Sequence, residues 1–408
     1  MANPEVSGGG VNIGLFGHVD HGKTTIVEAI TGKWADVHSE EMKRGITIRL
    51  GYAETTVYRC KKCKEPNCYC TTKKCPACFG DTEPLRTISF VDAPGHNALM
   101  ATVLSGTSLI DGALLIISAD EECPQPQSAE HLMTLDIVGI KNIVIVQNKI
   151  DLVSREEVLK NYKEIKKFVR GTVAENAPII PISALQRVNI DSLLQAMEEH
   201  VPTPERDLKA DPKMFIARSF DVNKPGTLLE KISGGVIGGS LVRGVFRIGD
   251  RIEIKPGIKI GDKYIPLKTG VTALQKFGKK LKEAGPGGLI GVGTKLDPSL
   301  TKSDHLTGNI AGKEGKLPPT WESLTLETNL MDSVVGAKEK IKVSPISTSE
   351  PLMVTSGTGR TVGTVTSSRK NVIDIKLKSP LCVEKNDKIA IFRQFGGRWR
   401  LIGYGIIK

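Results

Sequence analysis

Long hydrophobic runs are missing from this sequence. The longest, such as Ala113–Ile117, fall far short of the roughly 20 apolar residues that a membrane-crossing helix needs. The start, Met1 to Gly10, lacks the charged-then-apolar order of a secretion signal. There are no internal repeats, no long tracts of one charge and no low-complexity segment beyond Gly8-Gly9-Gly10. Cysteine is nearly absent outside one short segment: only Cys123 and Cys382 of the eight lie elsewhere, and they read as isolated thiols. These absences exclude a membrane-spanning protein and predict a cytoplasmic one with no membrane partner. What remains is an ordinary globular composition, 39% hydrophobic and 25% charged, over 408 residues, enough for two to four domains. The net charge of +11 suits an acidic partner such as RNA.

The most informative stretch is Gly17-His18-Val19-Asp20-His21-Gly22-Lys23-Thr24. It follows a short apolar run, Val11 to Phe16, that reads as a buried strand. It opens a stretch, Thr25 to Ile30, with apolar residues at helical spacing. A glycine-rich turn between strand and helix that ends in Lys-Thr has the chemistry of a phosphate cradle. Its glycines let successive backbone N–H groups converge on phosphate oxygens at the positive end of a helix. Lys23 then reaches the β- and γ-phosphates, and the Thr24 hydroxyl ligates Mg²⁺. The ligand class is a nucleoside triphosphate.

The base is decided downstream. Asn148-Lys149-Ile150-Asp151 follows a second buried strand, Asn142 to Val146. The Asp151 carboxylate suits the N1–H and 2-amino donors of guanine, a pair that adenine lacks, so the wrong base would leave it unpaired. Asn148 holds the loop and the base edge, and the Lys149 stem covers the ring face. Ser183-Ala184-Leu185, after the strand Ile179 to Ile182, supplies a backbone N–H to the guanine carbonyl. The expected ligands are GTP and GDP.

Cys60, Cys63, Cys68, Cys70, Cys75 and Cys78 crowd together. In the cytoplasm disulfides are disfavoured. Cys60-Lys61-Lys62-Cys63 and Cys75-Pro76-Ala77-Cys78 have the spacing of a four-cysteine zinc site. Lys61, Lys62, Lys64, Lys73 and Lys74 would offset the −2 charge of four thiolates on Zn²⁺. Cys68 and Cys70 complicate the choice, because either could replace a knuckle cysteine. A redox pair or an iron–sulfur cluster is the rival reading.

From Val11 to about Val201 strands alternate with helices. The strand candidates are Val11–Phe16, Ile48–Tyr58, Thr87–Val91, Gly112–Ser118, Asn142–Gln147 and Pro178–Ile182; the helix candidates include Gln127–Val138, Glu156–Ala174 and Ile190–His200. This predicts an α/β domain with a doubly wound, mostly parallel sheet, its ligand loops gathered at the strands' carboxyl ends. Pro202-Thr203-Pro204 begins a charged linker. Beyond it, short β-branched runs are punctuated by Gly and Pro, and helical periodicity nearly vanishes, which spells β-barrels. A break at Lys316-Leu317-Pro318-Pro319 divides them into two. The expected organisation is a G domain over 1–203 with a knuckle insert at 59–81, a linker at 204–212, and barrels over 213–322 and 323–408.

Two further motifs show what the nucleotide is for. Arg44-Gly45-Ile46-Thr47-Ile48 lies where a mobile loop brings Thr47 to Mg²⁺. Asp92-Ala93-Pro94-Gly95-His96 closes the third strand, where Asp92 holds Mg²⁺ through a water and the Gly95 N–H bonds the γ-phosphate. Both loops would order around the γ-phosphate and release when it leaves. His96 stands where a water must be oriented for in-line attack.

Together with Pro124-Gln125-Pro126-Gln127 and Glu130-His131, these motifs resemble translational GTPases of the elongation-factor-Tu type. The cysteine knuckle after the first switch, Ser219-Phe220-Asp221-Val222-Asn223-Lys224-Pro225-Gly226 and Gly396-Gly397-Arg398-Trp399-Arg400-Leu401-Ile402-Gly403 narrow the likeness to the gamma subunits of archaeal and eukaryotic translation initiation factor 2. The resemblance covers essentially the whole chain. It implies a P-loop GTPase followed by two β-barrels, which carries initiator methionyl-tRNA to the small ribosomal subunit as the core of a heterotrimer. The alpha subunit would dock on the second domain and the beta subunit on the G domain. It further implies a nucleotide set of Gly17, Asp20, His21, Gly22, Lys23, Thr24 and Thr25, and a second Mg²⁺ near Asp20 and the Gly45 carbonyl. Val19 and Ile46 would gate His96, and Tyr52 is either a platform for the tRNA end or a plain strand residue. Rival readings are an elongator or selenocysteyl-tRNA carrier, the GTPase subunit of a sulfate-activating enzyme, and a non-hydrolysing GTP-binding scaffold.

Overall fold

The structure is a computed structural model that describes residues 10–32, 51–92, 109–224, 226–276, 278–334 and 341–408, with only the backbone of Tyr52, Asp92 and Leu229. The first domain holds strands β1 (Gly10–Gly17), β2 (Gly51–Cys60), β3 (Tyr69–Cys70), β4 (Thr82–Asp92), β5 (Gly112–Ser118), β6 (Ile143–Asn148) and β7 (Ile179–Pro181). Its α-helices among the described residues are α1 (Lys23–Thr31), α2 (Pro126–Val138), α3 (Arg155–Val169) and α4 (Ile190–His200). The sheet order is β3-β2-β4-β1-β5-β6-β7. From β4 to β7 the neighbours are parallel; β2 runs antiparallel to β4, and β3 antiparallel to β2.

Alternation along the central strands sorts side chains to two cores, as the period of two requires. Val11, Ile13, Leu15, Leu114 and Ile116 face α1 and α4, packing on Ile26, Ile30, Leu193 and Met197. Phe16, Leu115 and Ile117 face α2 and α3, packing on Leu132, Leu135, Ile165 and Val169. The sheet is therefore buried on both faces, and its loops reach solvent at the strand ends. Helix α3 starts on a reciprocal cap, with Ser154 accepting from the Glu157 N–H and Glu157 accepting from the Ser154 N–H. It stops at Val169, short of the Ala174 that periodicity suggests. Gly171 takes φ +74 just beyond, and the Thr172 hydroxyl donates to the Val169 carbonyl at 2.7 Å.

Six strands of the first barrel close in the order 251–260, 310–313, 213–220, 236–243, 289–294 and 263–276, the last pairing back with the first. The second barrel closes through Thr320–Leu330, Val372–Cys382, Gly359–Arg369, Pro351–Ser356, Lys388–Phe395 and Arg398–Ile407. Its first strand begins at Thr320, ahead of the 323 boundary read from the sequence, directly after Pro319, which has no N–H for a ladder. Seams join the three bodies. Asn12 in β1 donates to Ser240 Oγ of the first barrel at 3.1 Å, and Arg206 of the linker pairs with Asp111 at 2.6 Å. The second barrel lends Met353, Phe392 and Leu401 to the α2 side of the G-domain core.

Candidate functional site: a guanine nucleotide cradle and a cysteine knuckle

The nucleotide motifs with described coordinates lie at the carboxyl ends of β1, β4, β6 and β7, where an open α/β sheet presents its ligand loops. Gly17 and Gly22 shape the turn after β1, with φ of +147 and +87. A side chain at Gly17 would strike the Ile116 carbonyl, and one at Gly22 would strike the Asn148 amide. Only glycine fits either place. Lys23 is buried on the first turn of α1, its ammonium donating to the carbonyls of Gly17 at 3.1 Å and His18 at 2.7 Å. The cation thus sits inside the loop that a phosphate would fill. Thr24 and Thr25 follow on the same turn, half-buried, and Asp20 is exposed at φ +63.

Side chains from distant elements brace this loop. Asn148, 2% exposed, donates to the His21 carbonyl at 2.9 Å and accepts from the Ala184 N–H at 3.1 Å. It ties the phosphate loop, the end of β6 and the segment after β7 into one unit. The Ser183 N–H turns to the Val188 carbonyl and Leu185 stands exposed, so the Ala184 N–H is engaged by Asn148 in this structure. Lys149, at φ +62, pairs with Asp120 at 3.3 Å, and Asp151 is exposed on the short turn Ile150–Leu152. Asp120 also accepts from the Ser118 hydroxyl, and its carboxyl stays below the usual range because Ser118 and Lys149 outweigh its burial.

Helix α2 supplies the other brace. His131 Nδ1 accepts from the Gly17 N–H at 2.8 Å, and Gln127 Oε1 accepts from the Val19 N–H at 2.9 Å. Burial, with Lys23 nearby, holds the His131 imidazole down to about 3, so it is a neutral acceptor at every physiological pH. Glu130, one residue earlier, pairs with Arg400 of the second barrel, and burial pushes its carboxyl up to about 7 despite that partner. His21 is fully buried, its ring between the Ile116 carbonyl at 3.1 Å and Glu121 at 3.3 Å; burial lowers its pKa and that of His18. His21 therefore packs under the loop. The roles of Gln127 and His131 were not assigned from the sequence, although buried polar residues at 127, 130 and 131 form one stripe on a helix and were the available signal.

Asp92 ends β4, in register with Leu15 and Gly51. Gly45, Ile46, Thr47, Gly95 and His96 lie outside the described residues. The backbone cradle, the helix start and the Thr24 hydroxyl fit a Mg²⁺-bound nucleotide triphosphate.

The second cluster is the insert between β2 and β4. The sulfurs of Cys60, Cys63, Cys75 and Cys78 all lie within 4.8 Å of one another, with Cys60–Cys78 at 3.5 Å and Cys63–Cys75 at 3.7 Å. A tetrahedral zinc with Zn–S bonds of about 2.3 Å needs sulfurs about 3.8 Å apart, so the cage fits. The N–H groups of Lys62 and Cys63 hold the Cys60 thiol down to about 6, while the neighbouring Cys78 and Cys75 push Cys63 up to about 12. Cys68 and Cys70 lie apart from the cage: Cys70 donates to the Thr72 carbonyl, and Cys68 packs in the core that faces α1.

Comparison with known proteins decides the family. Residues 10–203 match the family "Elongation factor Tu GTP binding domain", and residues 322–407 match "Initiation factor eIF2 gamma, C terminal". Translation initiation factor 2 subunit gamma of Methanococcus maripaludis is 57% identical over 401 residues, covering 97% of this chain and 98% of the relative. The chain belongs to the gamma-subunit family of translation initiation factor 2. The subunit of the same description from Archaeoglobus fulgidus is 58% identical over 399 residues, covering 98% and 94%. The translation elongation factor SelB of Methanococcus maripaludis, solved with a GTP analogue, superposes with a TM-score of 0.72 at 21% identity, covering 98% of this chain and 79% of that one. A bacterial selenocysteine-specific elongation factor gives 0.73 at 24% identity, with this chain spanning 58% of its length. At those identities the likeness is one of fold, a P-loop GTPase domain with two barrels. As a gamma-family member the chain is a translation initiation GTPase. Among the described residues no helix is long and apolar enough to cross a membrane.

Proposed function

We propose that this chain is the GTP-hydrolysing core of a heterotrimer that carries initiator methionyl-tRNA to the small ribosomal subunit. In this reading Gly17, Gly22, Lys23 and Thr25 hold the phosphates, Thr24, Thr47 and Asp92 serve Mg²⁺, and Asp151 reads guanine. Gly95 senses the γ-phosphate and His96 orients the attacking water. The metal screens the charge that accumulates on the phosphates; the chain's own residues place the water and the leaving group. Zinc is held by Cys60, Cys63, Cys75 and Cys78 and fixes the insert. Alpha and beta subunits are the assembly partners, and cytoplasmic placement follows from the work of translation.

The observation that carries the carrier role is a cavity of about 350 Å³ at the seam of the G domain and first barrel. Glu54 of β2 lines it on one side; Ala217, Arg218, Phe220, Gln275 and Lys276 line the other. Lys276 donates to the carbonyls of Gly285 at 3.0 Å and Pro286 at 3.2 Å, and burial lowers its pKa to about 8, so it stays mostly charged at neutral pH. Arg218, ion-paired with Asp304 at 3.0 Å, and the buried Lys276 set cationic side chains beside apolar surface, which suits a tRNA end that carries both a phosphate chain and a methionyl group. Because β2 follows directly on the Thr47 segment, nucleotide state and cavity shape are expected to be coupled. Titrating labelled methionyl-tRNA against the assembled heterotrimer should give roughly 5–150-fold tighter binding in a GTP analogue than in GDP. Equal affinities would overturn the switch. His96→Ala should slow hydrolysis and leave tRNA binding nearly unchanged.

A further inference from the structure

We propose that the tip of the cysteine knuckle is a docking surface for RNA, with the Phe79 ring as a stacking platform for an unpaired base. Phe79 has φ +57, in the left-handed region, where a bulky side chain is strained. The turn imposes that conformation: the Phe79 N–H donates to the Cys75 carbonyl and the Cys75 N–H donates to the Gly80 carbonyl, both at 2.8 Å. Glycine would sit at position 79 without strain. The chain instead places its adjacent glycine one residue later, outside the left-handed region, and a phenylalanine at the strained place.

Among the described residues the ring joins no apolar cluster that would offset that strain. The ring is 79% exposed, the most exposed of the large hydrophobic side chains among the described residues. Its turn neighbours Pro76, Ala77, Cys78 and Gly80 are small, so it projects without the apolar rim that would seat a protein partner. Charge surrounds it instead. Residues 59–81 hold Arg59, Lys61, Lys62, Lys64, Lys73 and Lys74 against Glu65 and Asp81. Arg59 pairs with Glu65, Lys61 with Glu83 and Lys74 with Asp81, whereas among the described residues Lys62, Lys64 and Lys73 have no ion-pair partner. The Lys62 stem passes beside Gly80, 3.5 Å from where a β-carbon would stand, which brings its ammonium to the same tip. An aromatic face with the Lys62 ammonium beside it, on an insert that carries further lysines, is the chemistry of single-strand binding: a base stacks on the ring while the lysines meet the phosphates.

The test uses the full-length, zinc-loaded chain and a fluorescein-labelled, unstructured RNA of about a dozen nucleotides, with a fully paired RNA duplex of equal length as the second arm. Base–aromatic stacking worth about 1–3 kcal/mol corresponds to roughly 5–150-fold in affinity. Phe79→Gly should lose that much for the single strand, lose little for the duplex, and keep its zinc with an equal or higher melting temperature. Phe79→Asn tolerates the left-handed turn without the ring and should behave alike, whereas Phe79→Trp should retain binding. Unchanged single-strand affinity in Phe79→Gly and Phe79→Asn would overturn the proposal, as would equal losses for the duplex or a wild-type chain that ignores the single strand.

Discussion

The phosphate loop and the cysteine knuckle are both short ligand-holding turns on the same domain, and they are built in opposite ways. The loop is braced from far along the chain: His131 holds the Gly17 N–H across 114 positions, and Asn148 holds the His21 carbonyl across 127. Those braces are buried and hydrogen-bonded within the protein itself. The knuckle draws its four sulfurs from a span of 18 positions, on two turns whose lysines and Phe79 face solvent. Four thiolates gathered this closely would repel one another without a cation between them, so the metal completes the structure. A site that must admit, hydrolyse and release its ligand is shaped in advance by the core; a site that keeps its ligand lets the metal do the shaping.

The comparison breaks most visibly at the knuckle. Cys60→Ser or Cys78→Ser should take zinc from about one per chain to none. Cys68→Ser and Cys70→Ser should keep the metal, and loss of zinc in that second pair alone would reassign the ligands. Next in size is Asp151→Asn. Removing two hydrogen bonds to a charged acceptor, about 1.5–3 kcal/mol each, should weaken GTP by roughly 100-fold or more. Xanthosine triphosphate should gain, because an amide donor now faces the base. Wild-type GTP affinity in that variant would refute the base assignment. A smaller effect is expected from His131→Phe, which orphans the buried Gly17 N–H and should cost about 1–3 kcal/mol in urea unfolding of the nucleotide-free chain.

The same histidine gives a pH signature. Its folded-state pKa is depressed to about 3 from 6.5, so the unfolded chain takes a proton that the folded chain refuses. That share of stability is complete above about pH 6.5 and drains away as pH falls through the window down to about 3. The phenylalanine variant should lack this part of the slope, and an unchanged pH profile would mean that His131 takes up its proton as readily in the fold as in the unfolded chain.

Features carried by neighbouring residues were legible in the sequence: the glycine turn ending in Lys23 and Thr24, the Asn148–Asp151 motif, the cysteine spacing, and the change of texture after Pro204. Strand positions followed from short apolar runs between turns and helices, as at Gly112–Ser118. What could not be read was which buried polar group meets which. Nothing near Glu130 in the sequence points to Arg400, 270 positions away, because that pairing arises only when the second barrel closes on α2. Asn148 was read as holding the loop and the base edge; which two loops it clamps, through the His21 carbonyl and the Ala184 N–H, is set by tertiary packing. The end of α3 was missed because Gly171 and the Thr172 hydroxyl outweigh a periodicity that continues to Ala174.

Amide hydrogen exchange on the chain stripped of both nucleotide and zinc tests most directly whether the cradle is formed in advance and the knuckle is formed by its ligand. The Gly17 amide and its neighbours in β1 should stay protected without GDP, held by His131 and the sheet, and gain little when GDP is added. Residues 60–80 should exchange freely until zinc returns and then slow sharply. A Gly17 segment that exchanges as fast as the metal-free knuckle until nucleotide binds would contradict the distinction between the two sites.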